Sequence, residues 1–228
     1  MLNFENKTNP ILITGIPRSG TSLVAGIIDI CGAYGGEMIG ACAANKKGMF
    51  ENRTIRDDIC KPYLSSIGAD VKGQDPLPDM SKMQELKYGF ISNWRKRVLS
   101  ATGIDDETQV WFYKGAKMCL MWPVWHLAFP EARWIVVRRN SEKIIDSCLR
   151  TPFMNAYKTR ENWQKWVDVH LERFQEMKEN NLKIFEIDSN GVVNGDFEQI
   201  KLFIQNSGLI WKEKEIQDFI SKDLWHGG

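Results

Sequence analysis

Residues Ile11–Ser22, I-L-I-T-G-I-P-R-S-G-T-S, constrain this chain more than any other segment. An apolar run enters a turn of Gly, Pro, Ser and Thr, and an apolar helical pattern leaves it. Such a strand–turn–helix junction can bind an anion. Successive backbone N–H groups face one point, and the helix adds the positive end of its dipole. Arg18 supplies a permanent charge, and Ser19, Thr21 and Ser22 supply hydroxyls. Gly15 and Gly20 keep the spacing of the triphosphate-binding loop G-x-x-x-x-G-K-[ST], but Thr21 stands where that loop has its lysine. The junction is equipped for phosphate and lacks the group that handles a triphosphate with its Mg²⁺. The same residues would also serve an ordinary glycine-containing βα turn, so other features must decide.

Composition narrows the class. At 228 residues, with 43% hydrophobic and 26% charged, the chain matches a globular protein, read as one domain over residues 1–228. Thirty basic and 29 acidic residues leave a formal charge of +1, so no overall field draws nucleic acid or a membrane. Any anion site must be a local cluster. The cysteines Cys31, Cys42, Cys60, Cys119 and Cys148 form no C-x-x-C pair, and His126, His170 and His226 are scattered. Neither a disulfide framework nor a metal site is expected. The N-terminus reads as lacking a leader, and no apolar stretch is long enough to span a membrane, so a cytoplasmic location is the expectation.

Short apolar runs at Ile11–Thr14, Val110–Tyr113 and Trp134–Val137 read as buried strands, and Leu182–Ile187 as a half-covered one. Helical patterns lie at Thr21–Cys31, Met80–Thr102, Asn140–Leu149 and Arg160–Asn180, with loops at Gly32–Asn52 and Lys72–Pro78. Strands alternating with helices predict an α/β fold with a parallel sheet covered on both faces. Ligands bind such sheets at the carboxyl ends of the strands. The segments after Thr14, Tyr113 and Val137 should therefore converge on one crevice.

The third strand is followed by R-R-N-S-E-K-I-I-D-S, with Arg139 at the strand end and Ser147 eight residues later on the next helix. Taken in order, strand, P-R-S-G-T-S, helix and then strand, R-N-x₆-S resembles the sulfotransferase superfamily. Further matches are Lys114-Gly-Ala-Lys117, similar to a K-D-P-R-like segment of bacterial and tyrosylprotein-type members, and Phe129–Val137 leading into the third strand. Asn45–Glu51, N-K-K-G-M-F-E, resembles their N-P-x-G-[YF]-x-E segment. A weaker echo covers Leu182–Gly208. The tail Ser221–Gly228 lacks the R-K-G segment with which cytosolic members contact a phosphate.

The resemblance implies a three-layer α/β/α fold related to the P-loop nucleotide hydrolases. It implies the cosubstrate 3′-phosphoadenosine 5′-phosphosulfate (PAPS), with no metal. Pro17, Arg18, Ser19, Gly20, Thr21 and Ser22 would hold the 5′-phosphosulfate, and Arg139 and Ser147 the 3′-phosphate. Arg18 and Lys114 would stabilise charge on the leaving phosphate. The family's histidine base would fall on Ala116, so a carboxylate must serve. Glu37, nineteen residues after Arg18, and Glu51 are the candidates, and each could instead be a loop acid partnering Arg53 or Arg56. The acceptor, a small molecule, a carbohydrate or a peptide, is left open. Two rival readings are a P-loop kinase, which would need the missing lysine and an acidic Mg²⁺ partner, and a catalytically silent nucleotide-binding protein.

Overall fold

A computed structural model describes residues 9–42, 45–83, 86–104 and 108–220. The strands β1 (Ile11–Gly15), β2 (Phe112–Lys114), β3 (Arg133–Arg138) and β4 (Lys183–Asp188) form one parallel sheet in the order β2-β1-β3-β4. Strand β1 is buried along its whole length, with Ile13 opposite Lys114 on one side and Ile135 on the other. Because side chains alternate along a strand, each strand feeds two cores. Leu12, Tyr113, Trp134 and Val136 join Trp94, Trp125 and Trp163 on one face. Ile11, Ile13, Phe112, Ile135 and Val137 pack on the other against Val24, Ile27 and Ile28 of α1 (Thr21–Ile30). The expected layering, a parallel sheet between helices, is what the chain adopts.

The strand order puts a switch point at β1, since the chain leaves β1 outward to β2 and then returns past it to β3. Loops at the carboxyl ends of β1, β2 and β3 therefore surround one crevice. Helix α1 starts from the first of these loops, and α5 (Ser141–Arg150) follows β3.

Three elements differ from the sequence reading. β2 lies one to two residues later than Val110–Tyr113, because Val110 accepts a hydrogen bond from Tyr34 N and Trp111 bridges to Tyr34. The pattern at Met80–Thr102 is not one helix. It forms a 3₁₀ turn at Met80–Met83 and then α3 (Tyr88–Thr102), with Lys87 in extended backbone between them. Burial of Met83 in the large core overrides the local helical pattern. A π-helical segment, Ile55–Cys60, runs directly into α2 (Lys61–Ser66), which the sequence reading left unassigned. The spacing of Ile55, Ile59, Cys60, Tyr63 and Leu64, all buried, was its signal.

Helix α6 (Arg160–Glu179) closes the aromatic core and carries a fully buried histidine. The His170 ring lies 4.2 Å from that of Trp166, its Nδ1 is 2.8 Å from the Trp166 carbonyl oxygen, and Nε2 has no hydrogen-bond partner among the described residues. Burial, reinforced slightly by Arg173, pushes its pKa down from 6.5 to about 4. The folded protein keeps this ring neutral while the unfolded chain protonates it. Stability is therefore complete above about pH 6.5 and falls as pH drops toward 4, by roughly 3 kcal/mol in all. In His170→Phe, urea unfolding should depend less steeply on pH between 6.5 and 4.5 than in the wild type. Equal slopes would place the proton uptake elsewhere.

Candidate functional site

The loop from β1 to α1 rests directly on β3. A Cβ on Gly15 would come within 2.6 Å of Ser19 Oγ, 2.8 Å of the Val137 carbonyl oxygen and 2.9 Å of Thr21 Cγ2, so the loop can lie this low only with glycine there. Ser19 N closes the turn on the Ile16 carbonyl at 2.9 Å. Arg18 and Gly20 have φ of 77° and 94°, the left-handed backbone used by anion-cradling turns. That conformation is strained for arginine and persists only where neighbours fix it. Two hydrogen bonds do so, from Arg139 Nη1 to the Arg18 carbonyl and from Arg18 Nε to Ser147 Oγ, both 2.9 Å.

The helix that follows is left open at its start. Asn140 caps α5, Thr159 caps α6 and Asp188 caps α7 (Ser189–Val193) through side-chain oxygens. No side chain caps α1, and its first turn contains no acid. The positive end of its dipole therefore faces the crevice with no anionic side chain of its own turn to offset it.

On the β2 side, Thr14 sets the geometry. Its buried hydroxyl reaches the carbonyls of Gly115 and Ala116 (3.2 and 3.0 Å) and accepts from Cys119 N at 3.1 Å, clamping the turn after β2 onto β1. Lys114 is thereby held at the strand end, 4% exposed. Its Nζ donates to Glu51 Oε1 at 2.9 Å and to the Met49 carbonyl at 3.2 Å. Ser22 Oγ donates to the same carbonyl at 3.3 Å, and Arg56 Nη1 lies 3.9 Å from Glu51 Oε2. The segment ending at Glu51 is thus drawn in against α1 and β2.

These groups line a cavity of about 560 Å³. Its walls carry nine cationic side chains, Arg18, Lys46, Lys47, Arg56, Lys61, Lys72, Lys114, Lys117 and Arg139, against one carboxylate, Glu51, among the described residues. Burial lowers the pKa of Arg18, and Arg150 adds to that. Burial also lowers that of Arg139, and the charges of Arg18 and Arg150 lower it further. Both guanidiniums stay charged, but in an environment that disfavours charge until an anion arrives. Leu23, Val193, Phe219 and Ile220 supply apolar wall.

Of the residues singled out in the sequence, Pro17, Arg18, Gly20, Thr21, Ser22, Glu51, Lys114, Arg139 and Ser147 all reach this cavity. Ser19 does not line it. It is fully buried under the loop, with its Oγ facing Gly15. Glu37 is not brought in either. Its side chain is 83% exposed and 4.0 Å from Arg53, on a loop whose backbone pairs with Arg53. Of the two candidate acids, Glu37 the first in sequence and Glu51 the second, only Glu51 lines the cavity. The tail Ser221–Gly228, and with it the question of an R-K-G-like contact, lies outside the described residues. The sequence reading names Arg56 only as a possible partner of an acid, gives Lys117 only as part of the Lys114–Lys117 match, and assigns no role to Lys61 or Lys72; all four line the cavity.

No protein-family model matches this sequence, and no curated protein matches it. Solved structures do. Sulfotransferase STF1 from Mycobacterium tuberculosis H37Rv superposes with a TM-score of 0.60 at 12% identity, over 96% of this chain and 72% of that one. Sulfotransferase STF9 from Mycobacterium avium gives 0.60 at 14%, over 96% and 69%. The sulfotransferase domain of the Synechococcus PCC 7002 olefin synthase gives 0.57 at 12%, over 98% and 82%. This chain has the sulfotransferase fold, a P-loop-like α/β architecture.

The Gly15 contact is directly testable. Gly15→Ala forces the loop off β3, with an overpacking cost of about 1–3 kcal/mol. Thermal unfolding should show that loss, and millimolar phosphate, which should stabilise the wild type, should no longer stabilise the variant. An alanine variant with wild-type stability and phosphate response would mean that the loop does not depend on the close approach.

Proposed function

We propose that this protein is a PAPS-dependent sulfotransferase acting on a hydroxyl or amine acceptor. The observation that carries the reading is the array around Arg18. An uncapped helix start, two half-buried guanidiniums joined through the loop to Ser147, and a strand-end lysine on the other side surround one crevice. A nucleotide with phosphates at both its 3′ and 5′ positions matches two cationic centres set at neighbouring strand ends. Thr21, in place of a lysine, argues against a triphosphate.

In this reading the loop N–H groups, Arg18 and Ser22 bind the 5′-phosphosulfate, and Arg139 with Ser147 binds the 3′-phosphate. Leu23, Val193, Phe219 and Ile220 offer the apolar wall that a purine requires. Glu51, within hydrogen-bond reach of Lys114 through Oε1, accepts the acceptor's proton on a carboxylate oxygen. The new S–O or S–N bond forms as the bond from sulfur to the 5′-phosphate oxygen breaks. Lys114 and Arg18 neutralise the charge left on that oxygen, and one such preformed donor is worth ~10²-fold or more in rate. Glu51 also holds Lys114 in place, so one carboxylate couples the two halves of the step.

Ligand preference tests the reading. In EDTA, 3′,5′-ADP (PAP) should raise the melting temperature by mass action. Greater stabilisation by ATP–Mg²⁺ than by PAP would sink it in favour of a kinase.

The base is tested separately. Glu51→Gln keeps the shape and an oxygen for Lys114 but cannot take a proton. Turnover of labelled PAPS with a screened acceptor should fall ~10²–10⁴-fold with PAP affinity retained. Glu37→Gln should stay near wild type, and the reverse pattern would return the role to Glu37.

A further inference from the structure

The reading above uses Arg18, Arg139 and Lys114 for the donor and leaves a second group of cations in the same cavity unexplained. Resting on that reading, we propose that the acceptor carries an oxyanion of its own, a carboxylate or a sulfate. Lys117, assisted by Arg56, Lys61 and Lys72, holds this group beside Lys114.

Lys117 sits on the turn after β2, three residues from Lys114, and lines the cavity with Arg56, Lys61 and Lys72. The group lies on the β2 side of the crevice, whereas Arg139 and Ser147 lie on the β3 side. The charges around it do not balance. Glu51 is shared between Lys114 and Arg56, and Asp57 between Arg56 at 2.8 Å and Lys61 at 2.7 Å. Three cations thus share two carboxylates, and Lys72 and Lys117 have no ion-pair partner among the described residues. Lys117 Nζ donates only to the Val71 carbonyl, at 2.8 Å, among the described residues. Burial lowers its pKa, and Lys61 and Arg56 add to that while Glu51 opposes it. A half-buried ammonium among like charges is stabilised by an incoming anion.

The surroundings are built rather than incidental. The loop carrying Lys72 is pinned on three sides, at Val71 by Lys117, at Gly73 by Trp166 Nε1 (3.0 Å) and at Gln74 by bonds to Phe153, Asn155 and Ala156. Gly73, with φ of 72°, leaves room for the Lys117 stem, whose Cβ would lie 3.2 Å from a Cβ there. A neutral acceptor would leave this charge surplus uncompensated. An acceptor with an oxyanion a few ångströms from its hydroxyl would answer it and be oriented by it.

The test uses the full chain saturated with PAPS and without acceptor, so that the donor's own sulfuryl group fills the space beside Lys114. Methyl sulfate and acetate are titrated against chloride at constant ionic strength while thermal unfolding is followed. The expected result is further stabilisation of the wild type. A response to methyl sulfate alone assigns a sulfated acceptor, and one to acetate alone a carboxylated acceptor. Lys117→Met, which keeps the apolar stem, should bind the effective probe about tenfold more weakly. Lys61→Gln, at a partly exposed position, should shift it in the same direction, and both variants should keep their response to PAPS. No response in the wild type, or an equal response in both variants, overturns the proposal. If PAPS itself fails to stabilise the wild type, the donor reading falls instead. The same probes on nucleotide-free wild type and Lys117→Met then decide whether the anion site stands without it.

Discussion

The site depends on how closely the loop after β1 approaches β3. Gly15 lies so near the Val137 carbonyl that no side chain fits between them. That contact lowers the loop far enough for Arg139, leaving the end of β3, to reach the Arg18 carbonyl. It also lets Arg18 reach Ser147 on the next helix. Raised by one methyl group, the loop would lose both bonds, and the left-handed backbone at Arg18 would lose what holds it. The shape of this crevice is thus a consequence of sheet packing. The parallel pairing of β1 with β2 and β3 brings three strand ends together, and one glycine sets their depth.

Electrostatics gives the cavity its character. The chain as a whole is nearly neutral, yet nine cations and one carboxylate among the described residues face this space. Burial amplifies the effect, because a charge removed from water without a partner is costly and the cost is relieved by a ligand of opposite sign. Glu51 is the point of balance. It steadies Lys114 and faces Arg56, while Met49, two residues earlier, receives bonds from Lys114 and Ser22. Removing that carboxylate would change the local field that keeps two cations close together.

Where sequence and structure agree, the signal was local. The loop and its flanking strand and helix follow from twelve consecutive residues, because the apolar run, the glycines and the helical periodicity are each read within a turn or two of chain. Arg139 and Ser147 were likewise legible, being eight residues apart on a strand end and the helix that leaves it. The disagreements arose where distant packing overruled local pattern. Met83 is pulled into the large core and splits an apparently continuous helix, and Tyr34 captures the start of the expected second strand. Glu37 and Glu51 were both candidate acids in sequence, with Glu37 placed first for its separation from Arg18. Only the fold leaves one beside Arg53 in solvent and sets the other against Lys114.

By itself, then, the sequence determined the parallel α/β class, the strand–turn–helix junction after β1 and the placing of Arg139 and Ser147 on β3's end and the helix that leaves it, since each rests on residues adjacent along the chain or on one element. The tertiary structure decided which acid meets Lys114, the burial of Ser19 beneath the loop, and the gathering of Arg56, Lys61, Lys72 and Lys117 on one wall. Those relations join residues tens of positions apart. They are set by how helices and loops pack across a sheet, and no spacing along the chain encodes them.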